Sequence, residues 1–265
     1  MYRVLAFAIG VLGSTAAFGA EPPACFTPSQ SAPAFAFEIS KPDQVSRDEI
    51  QKRKVDQNGL DFLGQVHAGT AFERAGAKRS QRSEIKETFE SSQISRNAEW
   101  LCYEFSFKIP NGTAVPARER NGKRAKLTVA QFHQERVGIQ TGSAVLFFDI
   151  DPRGRLITQT GNRLGSRSSV LLKKAIGRWV DVRVAARWSK DRKRARTIIW
   201  VREPSNGEAF QLKLDESRKN ATTGHVYQKL GPYRSFLERD PGFAETQVVV
   251  QYDGVRRNGR PADLR

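Results

Sequence analysis

Tyr227, Lys229 and Tyr233 in the stretch YQKLGPYR stand at i, i+2 and i+6, so an extended chain sets two phenols and an ammonium on one face. Two other stretches repeat the device. In QRSEIKE, Arg82, Glu84 and Lys86 fall on one side and Ser83 and Ile85 on the other; in LTVAQFHQ, Gln131 and His133 fall opposite Phe132. The chemistry is complementary. The strips supply a cationic clamp, an amide with an imidazole, and phenols with an ammonium. Each strip alone also fits a solvated strand: Arg-x-Glu-x-Lys is an ordinary ladder of alternating charge. The conjunction of all three in one chain is more than a solvated strand requires.

Such side chains need strands to align them, and the chain supplies strands. EWLCYEFSFKIP alternates Leu101, Tyr103, Phe105, Phe107 and Ile109 against polar or small residues, and Pro110 stops it. AVLFFDI, the turn DPRG and RLITQT read as a hairpin. RWVDVRVAARW sets Val180, Val182, Val184 and Ala186 against Asp181, Arg183 and Arg187. RTIIWV, FQLKL and TQVVVQYDGVRR add further short strands, and KDRKRAR (Lys190 to Arg196) reads as a solvated hairpin tip. SRDEIQKRKV (Ser46 to Val55) fits a short helix or a polar strand equally well. Many short strands with no long amphipathic helix and no repeat predict one all-β domain, two packed antiparallel sheets of jelly-roll type with a concave groove.

The ends of the chain carry separate signals. Arg3, the apolar run Val4 to Leu12 and the small residues closing AAFGA read as a secretory signal over residues 1–20, too short in its apolar run for a membrane span. A single domain over residues 21–265, exported to the periplasm or beyond, is the expectation. Removing the signal costs one of 44 Lys+Arg against 28 Asp+Glu, so the exported chain stays strongly basic and suited to polyanions. Cys25 and Cys102 are the two cysteines, an even pair that predicts a disulfide tying the Pro-, Ala- and Ser-rich lead-in to the strand around Cys102. With only His67, His133 and His225 as histidines, no zinc spacing exists and no metal ligand is assigned.

RSEIK, QFH and YQKLGPY, in this order, resemble the three motifs of the family 7 alginate lyases: Arg-Ser/Thr-Glu-Leu-Arg, Gln-Ile/Val-His and Tyr-x-Lys-x-Gly-x-Tyr. The region around Trp179 to Ser189 and the stretch KLGPYR are similar to the heparin lyase I-like and glucuronan lyase-like group. The resemblance spans about Lys78 to Gly254. Lys86 stands where the alginate lyases carry a second arginine, Pro232 sits inside the third motif, and no glutamine follows Tyr233. The resemblance implies a jelly-roll polysaccharide lyase that cuts an acidic, uronate-containing polymer by β-elimination. It implies Tyr233 as the acid, with His133 as base or Tyr233 serving as both base and acid under the charge of Lys229, and Gln131 and Arg82 complete the catalytic set. Lys229, Lys86, Glu84 and Tyr227 are the substrate-binding candidates. It implies no required cofactor. Some relatives hold a structural calcium, which no loop here declares. An acidic polysaccharide is the expected partner, with no specific nucleic acid, no membrane span and a monomeric chain.

Other classes fit less well. A non-catalytic module gripping acidic glycans needs the cations but neither a histidine nor a tyrosine at one sugar. A glycoside hydrolase needs two carboxylates flanking the bond, and Glu84 sits between cations instead. A nucleic-acid binder rests on charge alone, without a recognition motif.

Overall fold

The computed structural model describes residues 36–39, 50–56, 59–66, 72–74, 78–88, 100–117, 125–134, 144–160, 167–217, 225–258, 260–261 and 263–264. Among them the strands, numbered in chain order, form two sheets. One runs from edge to edge β11 (Arg167–Leu172), β10 (Leu156–Thr160), β9 (Ala144–Ile150), β8 (Lys126–Gln134), β15 (Val226–Ser235), β6 (Ile85–Glu87), β1 (Ala36–Ile39) and β18 (Asp263–Leu264). Off this path, β5 (Lys78–Arg82) pairs with β15, and β4 (Phe72–Arg74) pairs with β5, giving ten strands. The second, of eight strands, runs β14 (Gln211–Ser217), β13 (Arg196–Arg202), β12 (Trp179–Arg187), β7 (Leu101–Lys108), β16 (Val248–Arg257), β3 (Gly59–Val66) and β2 (Ile50–Asp56), with β17 (Arg260–Pro261) on β16. The strand pairs are antiparallel except β1 with β18.

Alternation decides which face each sheet buries. Leu101, Tyr103, Phe105 and Phe107 of β7 and Val180, Val182, Val184 and Ala186 of β12 all enter one core. Leu127, Phe132, Leu146, Phe148 and Leu230 meet them from the ten-stranded sheet. Phe132 packs edge-on to Tyr103 at 4.7 Å and lies 5.5 Å from Trp188, whose indole N–H donates to the Tyr103 hydroxyl at 3.3 Å. Burying side chains of this size contributes about 1.5–3 kcal/mol each, enough to fix the register of every strand involved. The all-β sandwich expected from the sequence is the fold observed.

Three local expectations resolve differently or more sharply. The ambiguous SRDEIQKRKV stretch is a strand where it is described, as β2. Lys190, Asp191, Arg192, Lys193 and Arg194 form the exposed turn between β12 and β13, as a solvated tip should. QRSEIKE is not one continuous strand: β5 ends at Arg82, β6 begins at Ile85, and the chain steps between them at Ser83 and Glu84. The reason lies across the sheet. Gly231 of β15 has φ +131°, and a Cβ there would stand 2.0 Å from the Ser83 carbonyl oxygen and 2.7 Å from Glu84 Cα. The backbone of the first motif therefore lies on the glycine of the third, and Ser83 N–H donates to the Pro232 carbonyl at 3.0 Å.

Next to this crossing the sheet is irregular. From Lys229 to Tyr233, four residues on β15, the partner β8 advances three, from Gln131 to Thr128, and β9 advances two, from Phe147 to Asp149. Extra residues of this kind bend a strand and increase its twist. Tyr252 of β16 reaches through the core to hold both irregularities. Its hydroxyl donates to the Val129 carbonyl at 2.6 Å and accepts from Gly231 N–H at 3.0 Å.

The predicted signal segment and Cys25 lie outside the described residues. Cys102 is buried on the outward face of the eight-stranded sheet, in a small cluster with Ala185, Ile198 and Trp200. No cysteine among the described residues is free.

Candidate active site

Register brings the three strips together on the face of the ten-stranded sheet that points away from the core. Tyr227 lies opposite His133, and Lys229 lies opposite both Gln131 on β8 and Lys86 on β6. Tyr233 lies opposite Arg82 on β5 and Thr128 on β8. The partners of these residues on the other side of each strand, Ile85, Ala130, Phe132 and Leu230, are in the core. Strand adjacency thus aligns three stretches separated by up to about 150 positions of sequence.

Glu84 is the hub. It is 1% exposed, and its Oε1 accepts a 2.6 Å hydrogen bond from Gln131 Nε2. Its Oε2 lies 3.7 Å from Lys229 Nζ and 3.9 Å from an Arg82 guanidinium nitrogen. A carboxylate only accepts, so the Gln131 amide nitrogen faces Glu84 and its carbonyl oxygen is turned away; this assignment follows from the hydrogen-bond partners. Glu84, a substrate-binding candidate by resemblance, instead serves the other side chains of the site. Its hydrogen bond goes to Gln131, and its contacts with the two cations are longer. Arg82 in turn lies 5.6 Å from the centre of the Tyr233 ring, and Lys229 lies 6.0 Å from that of Tyr227.

His133 is half-buried at the other end of this network. Its Nδ1 is 2.9 Å from the Gln134 carbonyl oxygen and 3.1 Å from the Tyr227 hydroxyl. A carbonyl cannot donate, so Nδ1 carries the proton and the lone pair sits on Nε2, the arrangement a general base requires. The phenol against the imidazole is Tyr227, which the sequence reading placed among the substrate-binding groups. Tyr233 stands further along the sheet, beyond Gln131. The contacts therefore run Tyr233, Arg82, Glu84, then Gln131 and Lys229, then Tyr227 and His133, with Lys86 beside Lys229.

Several residues of this face escaped the sequence reading. Phe147 lies directly opposite Gln131, and Gln159 lies opposite Phe147. Lys126 donates to Gln159 Oε1 at 2.9 Å, and Thr128 donates to the buried Asp149 at 2.6 Å. Lys126, Thr128 and Asp149 were legible only as polar positions within apolar strands. Tyr252 carried a clearer signal: a tyrosine at a core-facing position after Val248 and Val250 needs a partner for its hydroxyl. Among the described residues no group of three or more His, Cys, Asp and Glu side chains stands as a metal site, and no helix is long and apolar enough to cross a membrane.

Residues 31–256 match the family model described as polysaccharide lyase, and the chain belongs to that family. No curated protein sequence matches it. The chain is similar in fold to the crystal structure of an alginate lyase from Pseudomonas aeruginosa, with 16% identity, TM-score 0.50, and coverage of 78% of this chain and 85% of that one. It is also similar to an alginate lyase in complex with dimannuronate, with 10% identity, TM-score 0.50, and coverage of 78% and 77%. A glucuronan lyase from the fungus Trichoderma reesei matches with 14% identity, TM-score 0.49, and coverage of 84% and 93%. The protein is a polysaccharide lyase.

Proposed function

We propose that this lyase is exported and cuts a uronate-containing polysaccharide by β-elimination across the face built around Glu84. The observation that carries the reading is the joint presence on one face of three cations, an oriented amide, an imidazole with its lone pair on Nε2, and a phenol beside an arginine. The C5 proton of a uronate is weakly acidic while the neighbouring carboxylate is charged. Gln131, through its second amide N–H, and Arg82 neutralise that carboxylate and stabilise the enolate-like dianion that forms. Glu84 keeps both in position. His133 Nε2 takes the C5 proton. Electrons move to form the C4–C5 double bond, the C4–O bond breaks, and Tyr233 gives its proton to the departing oxygen. No water enters. Lys229 and Lys86 hold carboxylates of the chain, and Tyr227 packs against His133.

The net charge of +16 supports an anionic polymer as substrate. Export rests on the signal-like residues 1–20. The same reading pairs Cys25 with Cys102, supported by the lack of a free cysteine among the described residues. The chemistry requires no metal, and a structural calcium is not assigned to any residue. Purified protein incubated with glucuronan, polymannuronate, polyguluronate and heparin-like chains should release products absorbing in the ultraviolet from the new double bond. A protein that binds these polymers and releases only saturated products would contradict the proposal.

A further inference from the structure

The outer face carries a second constellation built like the first. Asp149 is 2% exposed, accepts from Thr128 Oγ1 at 2.6 Å, and lies 3.9 Å from Lys126 Nζ. Lys126 donates to Gln159 Oε1 at 2.9 Å and lies 5.5 Å from the centre of the Phe147 ring. Around Glu84 a glutamine amide donates to a buried carboxylate with a lysine nearby; around Asp149 a threonine hydroxyl donates to the buried carboxylate, and the nearby lysine donates to a glutamine carbonyl oxygen. What the second lacks is a histidine. Its chemistry is binding alone.

A solvated surface ion pair would leave both partners exposed. Here the Asp149 side chain is 3% exposed and the Lys126 side chain 27%, so the carboxylate lies behind and the ammonium in front. An ammonium has three hydrogens, and one goes to Gln159. Phe147 has no place in the core, which its neighbours Leu146 and Phe148 fill from the other side of β9. It is half-buried on the outer face, between Gln131 on one neighbouring strand and Gln159 on the other. Two strand spacings, about 9.5 Å, separate the backbones of Gln131 and Gln159, a distance comparable with two sugar units.

We infer that Lys126, Phe147 and Gln159 form a second sugar-binding position, where Lys126 holds the carboxylate of a uronate about two units along from the one held by Gln131, and Phe147 receives a sugar face. This position rests on the proposed uronate substrate, with which it would be shared by one chain. Oligoglucuronate and oligomannuronate of two to six units, titrated calorimetrically into wild type, Lys126→Met, Lys126→Arg and Phe147→Ala, test it. Wild-type affinity should rise once the oligomer is long enough to reach Lys126. Lys126→Met should lose that gain, about tenfold in Kd, with KM on polymer rising more than kcat falls. Lys126→Arg should keep most of it, and Phe147→Ala should lose part of it even if Lys126→Met proves unstable. Wild-type length dependence retained in both Lys126→Met and Phe147→Ala overturns the inference while leaving the proposed reaction intact. Wild type binding none of these oligomers overturns both.

Discussion

At the scale of single residues, the site separates two tyrosines that sequence spacing treats alike. Tyr227 touches His133 Nδ1, the nitrogen that the Gln134 carbonyl already orients. Tyr233 stands beside Arg82. If Tyr233 is the acid, Tyr233→Phe should lower kcat by about 10²–10⁴-fold, the usual worth of a proton donor. Tyr227→Phe should cost less than about tenfold, because the carbonyl still holds the imidazole. His133→Ala should abolish turnover while leaving much of the glycan affinity, since proton transfer is needed only in the transition state. Steady-state kinetics on one polymer decide the matter. A larger loss in Tyr227→Phe than in Tyr233→Phe would move the acid to Tyr227.

At the scale of elements, the first and third motifs are locked together by backbone contact. Gly231 admits the Ser83–Glu84 segment, and Tyr252 bonds the irregular positions of β15 and β8 at once. Gly231→Ala should therefore fail to give a folded enzyme, because both φ +131° and the 2.0 Å approach exclude a Cβ. Tyr252→Phe is the finer probe. The ring keeps its stacking on Phe62 at 4.4 Å, but a buried N–H and a buried carbonyl lose their partner. A loss of about 2–4 kcal/mol in urea unfolding is expected, together with reduced activity; unchanged stability would mean that the hydroxyl does not brace the site. Alternation alone revealed β7, β8, β12 and the β9–β10 hairpin, because apolar burial on one face fixes those strands. It also placed Arg82, Gln131, His133 and Tyr233 on outward positions. It could not reveal the break at Ser83–Glu84 or the unequal steps of β15, β8 and β9, because these depend on what lies across the sheet. The Lys126–Asp149 cluster was hidden for the same reason.

At the scale of the whole molecule, the two sheets are joined through the core by a buried contact between the Glu87 carboxyl of β6 and the Arg257 guanidinium of β16, with Gln228 N–H donating to the same carboxyl. Burial pushes the Glu87 carboxyl up from its ordinary 4.5 to about 7, although Arg257 and the Gln228 N–H pull it down. The folded protein then holds a proton between these values that the unfolded chain has released. Stability from this group is complete below about pH 4.5 and is lost as pH rises through about 7, a span on the order of 3 kcal/mol. Thermal unfolding from pH 5 to pH 8 should fall more steeply for wild type than for Glu87→Gln; parallel curves would assign the pH dependence elsewhere. The strongly basic surface implies a second whole-molecule property. Association with uronate polymers should weaken as salt rises, whereas an affinity independent of ionic strength would mean that charge does not recruit the substrate.

The central claim is elimination of a uronate polymer by the groups around Glu84, and mass spectrometry of the products tests it most directly. Wild type acting on a defined uronate oligomer in ¹⁸O-labelled water should give two fragments whose masses sum to that of the substrate. One should carry the C4–C5 double bond, and no label should enter. His133→Ala should give neither fragment. Fragments whose masses sum to substrate plus one water, with ¹⁸O in the cleaved bond, would make the reaction a hydrolysis and contradict the account.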